Sequence, residues 1–284
     1  MNFQKIGVLG SGIMGSGIAE VVAATGAQVV VRSRSQNGAD AMLSALEKSL
    51  ARQVEKGKRT SDEADALRAR VSATSSLTAL GDCDLIIESV VEDIAVKKAL
   101  LSELDLFVRP DVIFATNTST LSVIELAMAT SRPERVCGVH FFNPAVVMSV
   151  VEVVRPLCAS DDTIKSVAAF VVACGKEAVE VKDQAGFIVN ALLFPYLNNA
   201  IRLLERGGAS MADIDIAMKG SCGFPMGPFA LLDLVGLDTS LAILHALYAE
   251  FADPNYAPVP LLRRMVSAGQ LGRKSGVGFY DYRQ

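Results

Sequence analysis

The chain has 284 residues, of which 51% are hydrophobic and 20% are charged. This composition excludes an intrinsically disordered protein, because that class combines few apolar residues with a high net charge. The formal net charge of −4 leaves no basic surplus, so we expect no nucleic-acid partner. The length predicts one large domain or two.

The cysteines and the first residues favour a reducing, cytoplasmic location. Five cysteines are widely scattered, and none forms a CxxC pair, so we expect no disulfide framework. The first four residues lack a charged start that leads into an apolar stretch, so we expect no signal peptide. The most apolar stretch, residues 229–248, contains Asp233 and Asp238, which favour a core helix over a membrane span.

Strand-like and helix-like segments alternate over the first two-thirds of the chain. Short β-branched or apolar runs predict strands at residues 5–9, 28–31, 71–74, 85–88, 112–116 and 136–141. Amphipathic or small-residue stretches predict helices at 13–24, 38–56, 60–70, 96–107 and 122–129. Such alternation is typical of a parallel sheet that is covered by helices on both faces.

The pattern changes near residue 180. After a last strand-like piece at 179–183, the sequence predicts only helices, at 187–206, 211–218, 227–251 and 261–268. We therefore predict an α/β domain at residues 1–183 and an all-α domain at residues 184–284.

A glycine pattern lies between the first predicted strand and helix, in the run Gly10-Ser11-Gly12-Ile13-Met14-Gly15. The first glycine permits a tight turn, the second lets the backbone approach a pyrophosphate, and the third lets the helix pack closely on the strand. The helix N-terminus then presents free N–H groups to the phosphates. In this context the pattern predicts dinucleotide binding on a Rossmann-like, doubly wound sheet.

The end of the second strand bears on the choice of dinucleotide. An NAD site usually places a carboxylate there, to accept a hydrogen bond from the ribose 2′-hydroxyl. This chain has Arg32, Ser33 and Arg34 instead, and two guanidinium groups suit a 2′-phosphate. A solvated turn that tolerates either cofactor is the alternative interpretation. We expect NADP(H) to be favoured, with NAD(H) possible.

His140 ends a predicted strand, at the edge where open α/β sheets bind ligands. Glu152 follows twelve residues later, in an apolar run where a bare carboxylate needs a partner. A His–Glu pair would let the imidazole take a proton from a hydroxyl group while the carboxylate stabilises the imidazolium. The spacing alone equally permits a core histidine and a separate structural acid. Cys137 and His140 have the spacing of a metal-ligand pair, but no second pair completes a site, so we expect no metal.

Five ordered motifs resemble the L-3-hydroxyacyl-CoA dehydrogenases, over essentially the whole chain. They are the glycine run at 10–15, Asn-Thr-Ser at 117–119, His-Phe-Phe-Asn-Pro at 140–144, Gly-Phe-Ile-Val-Asn at 186–190 and the closing run at 272–280. The resemblance implies oxidation of a (3S)-3-hydroxyacyl-CoA to a 3-oxoacyl-CoA, with short chains such as 3-hydroxybutyryl-CoA as the first expectation.

The resemblance also implies roles for individual residues. His140 matches the family's catalytic base and Glu152 its charged partner. Ser119 matches a serine that hydrogen-bonds the substrate's 3-oxygen and also lies at the cofactor. Asn190 matches an asparagine beside the catalytic histidine. In most of the family an aspartate stands at the position of Ser33, so NAD specificity is in doubt here.

Further positions are implied as ligand contacts, each with an ordinary structural alternative. Glu92, Lys97, Asn143 and Lys274 match cofactor contacts. Ser49 and Lys56 match positions that meet the CoA moiety, and Arg52 lies one helical turn before Lys56. An ordinary exposed basic face would explain the same lysine equally well.

The resemblance further implies a homodimer formed through the helical domain. Two rival functions stay open: a dehydrogenase of a free hydroxy acid or other non-CoA alcohol, and a non-catalytic structural or binding member, because a fold alone proves no activity. His245 lies in an apolar helical run, so we expect packing or interface contacts from it rather than catalysis.

Overall fold

The computed structural model describes residues 3–283, which divide into two compact units. One unit ends at Asp183 and the other begins at Gln184. Within the described residues the first unit holds one sheet, whose strands are β1 (Lys5–Leu9), β2 (Gln28–Arg32), β3 (Val71–Thr74), β4 (Leu85–Glu88), β5 (Ile113–Thr116), β6 (Val136–Phe141), β7 (Val150–Arg155) and β8 (Glu177–Lys182). Its helices are α1 (Ile13–Ala23), α2 (Gln36–Glu55), α3 (Ser61–Ala69), α4 (Ile94–Asp105), α5 (Val123–Ala127) and α6 (Asp161–Ala173).

The strands lie in the order β3-β2-β1-β4-β5-β6-β7-β8. All pairs among the first six strands along the chain are parallel. β7 runs antiparallel to β6, and β8 runs parallel to β7, so the predicted parallel sheet is wrong at this end. The reason is the connection, because residues 142–149 are fewer than the dozen or so that a parallel crossover needs.

Both faces of the sheet are buried, because successive side chains of a strand point to opposite faces. One face carries Val29 and Val31 of β2 in a core with α1, α2, α3 and α6. The other face carries Val30 in a core with α4 and α5. The predicted doubly wound α/β architecture is confirmed.

Helix α6 is absent from the sequence prediction. Ser160 caps its N-terminus by accepting a hydrogen bond from the Thr163 N–H group at 3.2 Å. Ile164, Val167 and Val171 are buried at the spacing of one helix face. Both the cap and the helical period were present in the sequence, so this helix could have been found.

The second unit is helical, as predicted, with α7 (Val189–Glu205), α8 (Met211–Cys222), α9 (Pro228–Val235), α10 (Leu237–Phe251) and α11 (Pro260–Ser267). The single helix predicted at 227–251 is wrong, because Gly236 has a φ of 102° and interrupts it. In the described part of the chain no single helix is long and apolar enough to cross a membrane. Only α9 and α10 together would pass on length and composition, and they bend by 96°.

Two buried carboxylates organise the second unit. Asp215 of α8 accepts hydrogen bonds from the N–H groups of Phe229 and Ala230, at 2.8 and 3.1 Å, in the first turn of α9. Asp233 of α9 accepts from the N–H groups of Phe279 and Tyr280, both at 2.8 Å. The carboxylates therefore satisfy N–H groups at one helix start and along the C-terminal segment.

Candidate active site

The glycine loop, residues 10–15, follows β1. In the sheet β1 lies between β2 and β4. Gly10 has a φ of 108°, and a Cβ there would lie 2.2 Å from the Ser89 carbonyl oxygen. A Cβ on Gly15 would lie 2.0 Å from the Gly10 oxygen. A Cβ on Gly12 would meet no atom of the described chain within 4 Å.

Two of these glycines are thus required by the chain's own packing, whereas Gly12 leaves open space beside the start of α1. This is the open room that a pyrophosphate needs at a helix N-terminus. The loop lies where the strand order reverses, which is where open α/β sheets bind ligands. The residues present fit a bound dinucleotide.

Ser33 follows β2 and is buried, with 4% of its surface exposed. Its hydroxyl oxygen lies 2.8 Å from that of Ser11 in the glycine loop. Arg32 donates from Nε to the Ser75 carbonyl at 3.3 Å, whereas the side chain of Arg34 is exposed. Ser33 therefore reaches the glycine loop, and Arg34 is the arginine whose guanidinium faces solvent.

His140 and Glu152 are direct partners across the antiparallel pair β6 and β7. Partners in that register place their side chains on the same face of the sheet. The imidazole Nδ1 lies 2.7 Å from Oε2 of Glu152, and both residues are buried. An ionised carboxylate only accepts hydrogen bonds, so Nδ1 carries the proton and Nε2 presents a lone pair.

Ser119 lies three residues beyond the end of β5, and its hydroxyl oxygen is 3.1 Å from His140 Nε2. With Nδ1 protonated, the serine donates to Nε2. The structure therefore brings Ser119, His140 and Glu152 into one chain of hydrogen bonds. An oxygen that bound between Ser119 and His140 could receive a hydrogen bond from the serine and lose its proton to the imidazole.

Asn117 holds the strand ends beside this chain of hydrogen bonds. Its Oδ1 accepts from the Phe141 N–H at 2.8 Å, and its Nδ2 donates to the Ser89 hydroxyl at 3.2 Å. The side chain thus ties the ends of β4 and β6 together next to His140. Sequence reasoning quoted Asn117 within a motif but gave it no role.

A cluster of ion pairs lies at the end of β4 and consists of Glu88, Lys97 and Glu92. Glu88 ends β4 with no exposed side-chain surface, and the Lys97 ammonium lies 2.8 and 2.9 Å from its two oxygens. The ammonium also lies 3.2 Å from Glu92 Oε2. Sequence reasoning missed Glu88, whose only signal was a carboxylate at the end of an apolar strand.

The other predicted cofactor contacts are spread over both units. Asn143 is exposed just after β6 in the first unit. Lys274 of the second unit forms an ion pair with Asp238 at 2.5 Å. Asn190, which was predicted beside the catalytic histidine and not at the cofactor, is buried in the first turn of α7. The roles of these three residues stay predictions.

The predicted CoA contacts lie on and just after α2. The Ser49 hydroxyl donates to the buried carboxylate of Glu20 at 3.2 Å. Lys56 caps the C-terminus of α2 and is exposed, as is Arg52. This surface therefore offers two cations to an anion, and the CoA assignment stays a prediction.

Cys137 and His140 do not converge, because they point to opposite faces of β6. Burial raises the pKa of the Cys137 thiol to about 12, which keeps it protonated at neutral pH. Among residues 3–283 no group of three or more His, Cys, Asp or Glu side chains could hold a metal ion.

Comparison with known families identifies both units. Residues 5–184 match the 3-hydroxyacyl-CoA dehydrogenase NAD binding domain, and residues 186–282 match the C-terminal domain of the same family. The chain belongs to the 3-hydroxyacyl-CoA dehydrogenase family. The resemblance drawn from the sequence motifs is confirmed.

Other members of the 3-hydroxyacyl-CoA dehydrogenase family are similar over their full length. A 3-hydroxybutyryl-CoA dehydrogenase of Mycobacterium tuberculosis is 46% identical, with 98% of each chain covered. One from Clostridioides difficile is 45% identical, with 98% of this chain and 99% of that protein covered. The crystal structure of (S)-3-hydroxybutyryl-CoA dehydrogenase from Ralstonia eutropha superposes with a TM-score of 0.97 at 41% identity, with 100% of both chains covered.

Proposed function

We propose that this chain oxidises (3S)-3-hydroxyacyl-CoA, with 3-hydroxybutyryl-CoA as the first substrate, and catalyses the reverse reduction. The observation that carries the proposal is the hydrogen-bonded chain of Ser119, His140 and Glu152 at the carboxyl edge of the sheet. The substrate class comes from relatives with that activity at 45–46% identity.

His140 transfers the proton of the reaction, and Glu152 stabilises the imidazole ring that carries it. His140 Nε2 accepts the proton of the 3-hydroxyl, and Ser119 hydrogen-bonds the same oxygen as it becomes a carbonyl. Glu152 holds the protonated ring and stabilises its positive charge. A bound nicotinamide dinucleotide supplies the hydride acceptor for the 3-carbon. In the reverse direction the imidazolium returns its proton to the oxygen.

We further propose that the preferred cofactor is NADP(H). The glycine loop at 10–15 would hold the pyrophosphate, and Ser33 with Arg34 would meet the 2′-phosphate. A guanidinium group donates to phosphate oxygens, and no carboxylate stands at Ser33 to repel them. Glu92, Lys97, Asn143 and Lys274 are proposed as further cofactor contacts.

The CoA end of the substrate is proposed to bind at α2, and the dimer to form through the second unit. Lys56 and Arg52 would attract the CoA phosphates while Ser49 contacts the same moiety. Exposed apolar side chains on the helices support the homodimer, among them Leu192 at 72% and Ile216 at 68%. We propose a cytoplasmic location on the basis of the scattered thiols.

The test measures absorbance at 340 nm with acetoacetyl-CoA and NADPH or NADH. Replacing His140 with Gln removes the base, and we expect kcat to fall about 10²- to 10⁴-fold. The control is His245→Gln, because His245 is the other histidine and lies exposed on α10.

Three results would contradict the proposal. The first is a wild-type enzyme that reduces acetoacetate but not acetoacetyl-CoA, which would indicate a dehydrogenase of free hydroxy acids. The second is no turnover of either compound, which would indicate a binding protein. The third is a His140→Gln variant that keeps the wild-type kcat, which would refute the assigned base.

A further inference from the structure

Strand β6 runs on beyond the end of the strand beside it. β5 ends at Thr116, which pairs with Gly138, whereas β6 continues to Phe141. On its other side β6 is paired with β7 as far as Phe141. Backbone N–H and C=O groups at a buried strand end need partners as much as those inside a ladder do. Beyond Gly138, the side of β6 that faces β5 therefore needs another partner.

The side chain of Asn117 supplies this partner. Asn117 is the first residue after β5, and its Oδ1 accepts from the Phe141 N–H at 2.8 Å. A backbone N–H can only donate, so the amide oxygen faces Phe141 and the amide nitrogen is left for another acceptor. That nitrogen donates to the Ser89 hydroxyl at 3.2 Å. The amide thus extends the β5 side of the sheet with a side chain in place of a strand.

Two hydrogen bonds close a ring around the catalytic groups. Asn117 lies two residues before Ser119, and Phe141 directly follows His140. One bond joins Asn117 to Phe141 at 2.8 Å, and the other joins the Ser119 hydroxyl to His140 Nε2 at 3.1 Å. The bond made by Asn117 therefore restrains the distance between Ser119 and His140.

This restraint matters most when a substrate is bound. An oxygen that binds between Ser119 and His140 replaces their direct contact with two contacts of its own. Glu92 still accepts from the Ser119 N–H at 2.8 Å, and Glu152 still holds the imidazole at 2.7 Å. The Asn117 amide then remains as a direct hydrogen bond between the two chain segments that carry the serine and the histidine.

We propose that Asn117 is a positioning residue that sets the separation of Ser119 and His140 around the substrate oxygen. It acts through the backbone of Phe141, and the proposal gives it no contact with substrate or cofactor. The inference rests on the proposed dehydrogenase function for its catalytic consequence.

The main test variant is Asn117→Ala, which removes the acceptor for the Phe141 N–H. We expect kcat with acetoacetyl-CoA to fall about 10- to 100-fold, because small misplacements of a reacting group have effects of this size. The KM for acetoacetyl-CoA should change less than about threefold, since the lost interaction is not a contact with the substrate. If Asn117→Ala does not fold, Asn117→Ser is the second variant, because its side chain is shorter but still polar, and we expect the same changes from it.

A conservative variant separates the hydrogen bond from the volume of the side chain. Asn117→Asp keeps an oxygen for the Phe141 N–H and lets the Ser89 hydroxyl donate to its other oxygen. We expect it to recover most of the kcat that Asn117→Ala loses, with each variant measured at its own optimum pH. The control is Asn199→Ala, which removes an exposed amide on α7 and should leave kcat unchanged.

NMR reports on Ser119 and His140 without any substrate. The chain has two histidines, so isotope-labelled histidine gives two imidazole rings, and His140→Gln assigns them. The resonance of His140 Nε2 depends on its hydrogen bond, and Ser119→Ala gives its position without the serine. We expect Asn117→Ala to move the resonance towards that position.

A double-mutant cycle tests whether Asn117 acts on Ser119. In a Ser119→Ala background, Asn117→Ala should lower kcat less than about threefold, because the group that it positions has already been removed. An equal loss of kcat with and without Ser119 would indicate a merely structural contribution and would overturn the inference.

Two other outcomes would also overturn it. One is a folded Asn117→Ala variant that keeps the wild-type kcat, and the other is an unchanged His140 Nε2 resonance in that variant. If the wild type turns over no acyl-CoA, the proposed function fails, while the resonance still decides whether Asn117 holds Ser119 at His140.

Discussion

The side chain at position 33 decides the charge that a cofactor ribose meets. Ser33 is buried against Ser11, so an aspartate there would place a carboxylate beside the glycine loop. We expect Ser33→Asp to shift the ratio of kcat/KM for NADPH over NADH towards NADH by about tenfold or more, since a carboxylate repels a 2′-phosphate. Steady-state kinetics with both cofactors measure this ratio.

The matched control is Asn37→Asp, which adds the same charge on an exposed residue in the first turn of α2. It should change the ratio less than Ser33→Asp does. A wild-type enzyme that already prefers NADH would contradict the NADP(H) proposal.

Tyr280 makes the free energy of unfolding of the second unit depend on pH in the alkaline range. Burial, followed by its hydrogen bond to Asp215, raises the pKa of Tyr280 to about 12 from the usual 10.0. The folded state therefore favours the neutral phenol. Its contribution to the free energy of unfolding is complete below pH 10 and is lost as the pH rises through 12. Urea unfolding of Tyr280→Phe should show a smaller loss of stability than the wild type between pH 9 and pH 11.

The exposed Tyr248 supplies the control, because Tyr248→Phe should lose as much free energy of unfolding between pH 9 and pH 11 as the wild type does. If the free energy of unfolding depended on pH equally in the wild type and in Tyr280→Phe, the ionisation of this phenol would not be linked to folding. That result would contradict the raised pKa.

At the scale of the element, Gly138 sets how closely β6 and β7 approach. A Cβ there would lie 2.6 Å from the Cβ of Val154, its partner on β7. Gly138→Ala must push β7 away, and we expect a loss of about 1–3 kcal/mol in the free energy of unfolding. Since Glu152 lies on β7 two residues before Val154, kcat should fall as well. Denaturant unfolding and the acetoacetyl-CoA assay measure the two effects.

Gly220 is the matched control for this substitution. It lies in α8, where a Cβ meets nothing within 4 Å, so alanine should be neutral or stabilising by up to about 1 kcal/mol. A Gly138→Ala variant as stable as Gly220→Ala would contradict the close approach of the two strands.

The elements differ in how far the sequence determines them. Local signals were sufficient for β1, the glycine loop and α1, because turn, strand and helix start lie within one short stretch. They did not give the His140–Glu152 contact, because strand register depends on pairing between distant residues. The break at Gly236 was hidden within a long apolar run, since a glycine inside a helical pattern is often tolerated.

At the scale of the whole molecule, residues far apart in the chain could be assigned only through the family. Nothing in the spacing of Ser119 or Asn190 marks either residue as part of a site. The cluster of Glu88 and Lys97 was equally invisible, because a lysine on a helix usually faces solvent. Only the fold shows that this lysine is buried.

The proposed homodimer is the prediction that belongs to the whole molecule. Sedimentation equilibrium at micromolar concentration should give twice the chain mass of 30.1 kDa. Charges on the exposed apolar surface of the second unit, as in Leu192→Glu with Ile216→Glu, should shift the protein towards monomer. Leu157→Glu is the control, since Leu157 is fully exposed in the first unit. A wild-type monomer would refute the proposal.

The antiparallel pairing of β6 and β7 has a consequence for how heat inactivates the protein. His140 and Glu152 are directly paired residues of β6 and β7, and β5 and β8 flank these two strands, so motion of a loop does not separate the pair. Warming must separate β6 from β7, which lie between β5 and β8, before the imidazole loses contact with the carboxylate. We therefore expect the contact between His140 and Glu152 to persist until the first unit unfolds cooperatively.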